Sequence, residues 1–170
     1  MNWTIVNFGK FRGKEKTLPQ IMFNDPDWFF DLMEKKIFEN YGQLADEARD
    51  INFKAQHIKI PSSSGKKMVA EYYIHPSTEK FGDVRVVPEG QPLHEGASET
   101  WRQPCFSMAV PREISKYDKK GNRMHLQKLK YYLFGKSNYR ITKNRAESFF
   151  NNLSNFEISY AYQNESALKD

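Results

Sequence analysis

At 170 residues the chain is long enough to bury a sizeable core, and an aromatic content of 15% excludes a disordered polypeptide despite a charged fraction of 28%. No run approaches the roughly 20 apolar residues of a membrane span, and the N-terminus lacks the order of a signal peptide. The single cysteine, Cys105, excludes an internal disulfide and suits a reducing compartment, so a cytoplasmic location away from membranes is expected.

The chain opens with a basic, glycine-punctuated ribbon. Ile5, Phe8 and Phe11 are its apolar side chains, Gly9 and Gly13 free the backbone for positive φ, and Lys10, Arg12, Lys14 and Lys16 surround them. This pattern predicts a hairpin over 5–16. Thr17 and Pro19 read as the cap and opening of a short helix or turn. Asn24 or Asp25 followed by Pro26 starts a second helix, because proline fits the first helical turn and an acid faces the positive end of the dipole. Phe29, Phe30, Leu32, Met33, Ile37 and Phe38 then recur at helical spacing. The ribbon is expected to pack on this helix, with Trp28 or Phe29 beneath it.

FGKFRG, TLPQI and DPDWFF, in that order and spacing, resemble the small C-terminal domain of exodeoxyribonuclease X-like proteins, over residues 5–38, about a fifth of the chain. That module also occurs in short stand-alone bacterial and phage proteins. The chain departs from its pattern by the extra Glu15 and Lys16 and by the long continuation after Phe38. It carries nothing like the acidic metal-binding motifs of the exonuclease domain, so the resemblance implies an accessory nucleic-acid-binding role without nuclease activity.

Gln43–Ile51 predicts another helix. Residues 54–60 alternate polar and apolar, PSSSGKK is a turn, and MVAEYYIH is strand-like, which together predict a β-hairpin from Lys54 to His75. DVRVVPE reads as a strand ended by Pro88, residues 88–104 as a long loop, and CFSMAVP as a third strand. KYDKKGNR reads as a charged turn and MHLQKLKYYLFGK as a helix stopped by Gly135. Asn144 with Glu147 resembles a capping box for a helix through Phe149, Phe150 and Leu153. FEISYAY is a possible last strand, and the tail 163–170 is expected to fray. The order of elements predicts an α+β fold, a single domain with a small antiparallel sheet and packed helices. Its expected parts are a hairpin-and-helix block at 1–52 and a remainder at 53–162.

Residues 112–145 hold eleven Lys or Arg against two acids, a local +9, whereas the rest of the chain sums to −4. Such a concentration is the footprint of a polyanion-binding surface, although a solvated lysine-rich face has the same composition. The candidate nucleic-acid contacts are Lys10, Arg12, Lys14 and Lys16 in the ribbon. Lys116, Lys119, Lys120, Arg123, Lys136, Tyr139, Arg140, Lys143 and Arg145 are those in the basic segment. Tyrosines interleaved with cations suit unpaired bases, which stack while the cations follow the backbone. Tyr117 and Tyr139 are the expected contacts, with Tyr132 and Tyr131 assigned to the core. The ribbon could also cradle phosphate through backbone N–H groups, but its glycine spacing is not that of a nucleotide P-loop, and Gly135-Lys136-Ser137 lacks the upstream glycine.

Other chemistry is weaker. Asp25, Asp27 and Asp31 invite a two-metal nuclease reading, but two of them sit at a helix start, where acids cap. His57, His75, His94, His125 and Cys105 lack paired ligand spacing for zinc, and the His94-Glu95 pair is too little for acid–base catalysis. No catalytic residue, metal or cofactor is therefore assigned. The expectation is a non-catalytic accessory protein that places a partner enzyme on nucleic acid, with DNA favoured over RNA. The alternatives are an interaction module of phage or defence type that docks an acidic protein surface, and a metal-dependent nuclease.

Overall fold

The computed structural model describes residues 1–62, 65–96, 99–135 and 140–158. They form an α+β structure with six α-helices and one three-stranded antiparallel sheet. The helices are α1 (Leu18–Asn24), α2 (Pro26–Glu34), α3 (Gly42–Ala55), α4 (Ala109–Ser115), α5 (Lys119–Phe134) and α6 (Lys143–Asn151). The strands are β1 (Met68–Ile74), β2 (Phe81–Pro88) and β3 (Glu99–Gln103), in the order β2-β1-β3. No described helix is long and apolar enough to cross a membrane. The chain divides into two compact units, one from residues 1–59 and 141–170, the other from residues 60–140, so the second is an insertion in the first.

In the first unit the ribbon is a hairpin reduced to one bridge, Ile5 with Thr17, reinforced by Val6 N–H donating to Lys16 O at 2.7 Å. Between them the chain makes a single 3₁₀ turn at Gly9–Phe11, and Gly9 and Gly13 both take positive φ, 56° and 73°. Trp28 lies under the ribbon: a Cβ on Gly9 would sit 3.4 Å from its ring. Asp25 caps α2 by accepting from Trp28 N–H at 3.3 Å, with Pro26 in the first turn. The core beneath collects Leu18, Ile21, Phe23, Phe29, Ile51, Phe150 and Phe156, all essentially inaccessible to solvent. Glu47, also buried, ties the N-terminal segment to α3 by accepting from Thr4 N–H at 3.0 Å and Thr4 Oγ at 2.8 Å.

The second unit places α5 against β2 and α4 against α5. Tyr72, Val84, Phe106, Met108, Ile114, His125 and Leu129 fill its interior. Glu71 and Arg102 are cross-strand partners on β1 and β3, and their ion pair of 2.7 Å is buried on the glutamate side. Arg102 also donates to the carbonyls of Glu89, Gln91 and Pro92, fastening the chain after β2. The guanidinium thus satisfies the buried carboxylate and closes a loop at once.

Several expectations need correction. Among the described residues no hairpin spans Lys54–His75: α3 runs on to Ala55, and Ile58 makes only an isolated bridge with Phe156. The hairpin partner of β1 is β2 instead. The stretch 88–104 contains β3, whereas CFSMAVP is not a strand and its end opens α4. Lys119 and Lys120 belong to the first turn of α5, because Asp118 caps it by accepting from Gly121 N–H at 2.8 Å. Thr142, not Asn144, caps α6. Of FEISYAY, Phe156 is described as a single bridge residue, and residues 159–162 lie outside the described ones, as does the tail.

Candidate nucleic-acid interface

The ribbon owes its shape to glycine, and four of its backbone amides are satisfied internally. Phe11 and Arg12 N–H donate to Phe8 O and Gly9 O, Gly13 N–H to Asn7 Oδ1, and Lys14 N–H to Phe11 O. The expected cradling of phosphate is corrected for these four amides, which are turned into the loop. Arg12 and Lys14 are exposed, Lys16 is half-buried, and Lys10 is ion-paired with Asp25 while its ammonium lies 5.4 Å from the Phe11 ring centroid.

Beside these cations runs a chain of rings absent from the expected site. Tyr41 stacks on Phe8 with centroids 4.1 Å apart and planes 7° from parallel. Phe8 and Phe11 both pack on Trp28, at 5.8 and 4.7 Å. Tyr41 is 42% exposed, enough to leave its outer surface in water, and Phe8, Phe11 and Trp28 are half-buried. Exposed rings beside cations have the chemistry that suits stacking with unpaired bases. The signal in the sequence was only a tyrosine following an aromatic helix, 33 positions from its stacking partner.

The same unit brings the start of α6 next to α1. Gln20 and Asn24 side-chain amides donate to Ile141 O at 3.1 and 3.2 Å, and Thr17 Oγ donates to Glu147 at 2.9 Å. Lys143 and Arg145, exposed on the first turn of α6, thus belong to the unit that carries the ribbon. Glu147 serves this tertiary bond instead of the expected capping box.

Lys116, Lys119, Lys120, Arg123 and Arg140 belong to the second unit and are exposed. Lys116 pairs with Glu113 at 3.0 Å. On α5 the exposed side chains Lys119, Lys120, Arg123, Met124, Gln127 and Tyr131 follow one another at helical spacing. Tyr131, expected in the core, is 54% exposed, and Tyr132 is half-buried beside Phe106. Lys130 is half-buried, and burial, with a smaller contribution from the Arg140 charge, lowers its pKa. Lys136 and Tyr139 lie outside the described residues.

The remaining candidates are dispersed. Asp25 is occupied as cap and ion-pair partner, and Asp31 pairs with Lys35 at 2.8 Å. Among the described residues no group of three or more His, Cys, Asp or Glu is placed to hold a metal ion. His57 stacks on Phe53, His94 on Tyr73, and His75 contacts Ser77. Comparison with protein-family models, with curated proteins and with solved structures found no match for this chain.

Proposed function

We propose that this protein is a nucleic-acid-binding accessory protein that engages single-stranded DNA through the ribbon face and positions a partner enzyme there. The observation that carries the reading is the solvent-facing Tyr41–Phe8 stack, continued by Trp28 and Phe11 and flanked by Lys10, Arg12 and Lys14. Bases stack on rings whatever their sequence, and cations along the groove follow the phosphates, so the expected binding is sequence-tolerant. The resemblance of residues 5–38 to exodeoxyribonuclease X-like C-terminal domains supports the same reading. Lys119, Lys120 and Arg123 on α5 add a second phosphate-contacting surface.

The test is fluorescence anisotropy of labelled oligonucleotides with the purified protein. Single-stranded DNA binds more tightly than a duplex of the same sequence, and Tyr41→Ala weakens the single-strand complex about tenfold, the loss of one base–aromatic stack of 1–3 kcal/mol. Equal affinity for duplex and single strand, unmoved by Tyr41→Ala, contradicts the reading. With magnesium or manganese present the bound DNA remains intact. Cleavage that disappears in the Asp25→Ala, Asp27→Ala double variant would favour the nuclease alternative.

A further inference from the structure

The second unit carries fourteen Lys or Arg against eight Asp or Glu, yet it contains an acidic cleft. The cleft, of about 720 Å³, runs between edge strand β3 and helix α4. Trp101 and Ile114 line it together with Tyr117, and Glu79, Glu99 and Glu113 supply three carboxylates. Among the described residues no Lys or Arg lines it.

Each part has a local cause. Alternation along β3 turns Glu99, Trp101 and Gln103 to the cleft, whereas Arg102 is committed to Glu71. Trp101 stacks on the buried Tyr72, centroids 5.1 Å apart and planes 14° from parallel, so one face of the indole is covered and the other remains for the cleft. Tyr72 is itself fixed, donating from its hydroxyl to Gln103 at 3.0 Å. Tyr117 is 49% exposed, and burial, with smaller contributions from the Asp118 and Glu99 charges, raises its pKa, so it remains a neutral phenol. Glu113 is shared with Lys116, but Glu79 and Glu99 have no ion-pair partner among the described residues.

We infer that this cleft, where unpaired carboxylates surround an indole face beside an open strand edge, binds an extended basic peptide segment of a partner protein and takes its arginine side chain against Trp101. An indole face attracts a guanidinium, two carboxylates neutralise it, and an aliphatic stem fits the Ile114 side. The edge of β3 offers backbone groups to an incoming strand, which selects a peptide over a free amine. This inference does not depend on the nucleic-acid reading, since it uses none of the same residues.

The experiment is calorimetric titration of the full chain with acetyl-Thr-Val-Arg-Val-Thr-amide and with its citrulline counterpart, which keeps shape and loses charge. The arginine peptide binds at least about tenfold more tightly, a difference of roughly 1.4 kcal/mol. Glu79→Gln with Glu99→Gln abolishes the preference, and Trp101→Leu weakens the arginine peptide more than the citrulline one. Both carboxylates are exposed, so the double glutamine variant retains its fold by circular dichroism and its affinity for single-stranded DNA. Absence of arginine-peptide binding, equal binding of both peptides, or a preference that survives in the double glutamine variant overturns the inference. Free arginine amide that binds as tightly as the peptide also overturns it, because strand addition would then contribute nothing.

Discussion

His125 is a buried residue whose surroundings do not accommodate its charge. It is buried between Tyr72 and Phe81, with ring centroids 5.5 and 5.2 Å away, and neither ring nitrogen has a hydrogen-bond partner among the described residues. Burial disfavours the imidazolium and lowers the pKa to about 3, from 6.5. The unfolded chain therefore binds a proton between these values that the folded chain refuses. The resulting stability is complete above pH 6.5 and is lost as pH falls toward 3, at about 1.4 kcal/mol per pH unit. Urea unfolding at pH 7.5 and at pH 5 should differ by about 2 kcal/mol from this group alone. His125→Leu should remove that component, and a variant whose stability falls with acid as the wild type does would show that His125 is not its source.

At the scale of elements, polar anchors decide where chains start and stop. Asp118 caps α5 from a nearly buried position, and a Cβ on Gly121 would meet its carboxylate and come within 3.0 Å of the Phe81 Cβ. Asp118→Ala should cost about 1–2 kcal/mol through the lost cap, and Gly121→Ala at least as much through displacement of the same cap, both measured by thermal unfolding. Glu47→Ala, which leaves the Thr4 amide and hydroxyl unmatched, should cost about 2–3 kcal/mol. An unchanged melting temperature in any of these would mean that water replaces the anchor.

The same anchors explain what was legible in the sequence. The ribbon and α2 could be read because their signals are local: glycines at turns, Asp25-Pro26 at a helix start, aromatics at helical spacing. The start of α5 was also written, in Asp118, but the surrounding lysines suggested a turn. KAQHIKI misled because its alternation is short and straddles the end of α3. The strand β3 was hidden in a proline- and glycine-rich stretch because a five-residue edge strand needs little β-propensity once β1 supplies its partner. The Tyr41–Phe8 stack and the β3–α4 cleft could not be read at all. They join residues brought together only by tertiary packing.

On the scale of the whole molecule, the basic run 112–145 is shared between the two units. The insertion boundary divides it, leaving Lys143 and Arg145 with the ribbon and the α4–α5 cations in the other unit. The composition displays the concentration of cations but not this partition. It separates the contributions to binding: ribbon side chains should act by charge and stacking together, α5 side chains by charge alone.

The affinity for a single-stranded oligonucleotide, measured against salt concentration, tests the central claim most directly. Each neutralised phosphate releases counterion and contributes about −0.7 to the slope of log affinity against log salt. Arg12→Ala with Lys14→Ala should therefore flatten the slope by about 1.4, and Lys119→Ala with Lys120→Ala by a similar amount. Tyr41→Ala should weaken binding with the slope unchanged, because stacking displaces few ions. A folded wild-type protein with no salt-dependent affinity for any nucleic acid at low ionic strength would contradict the account.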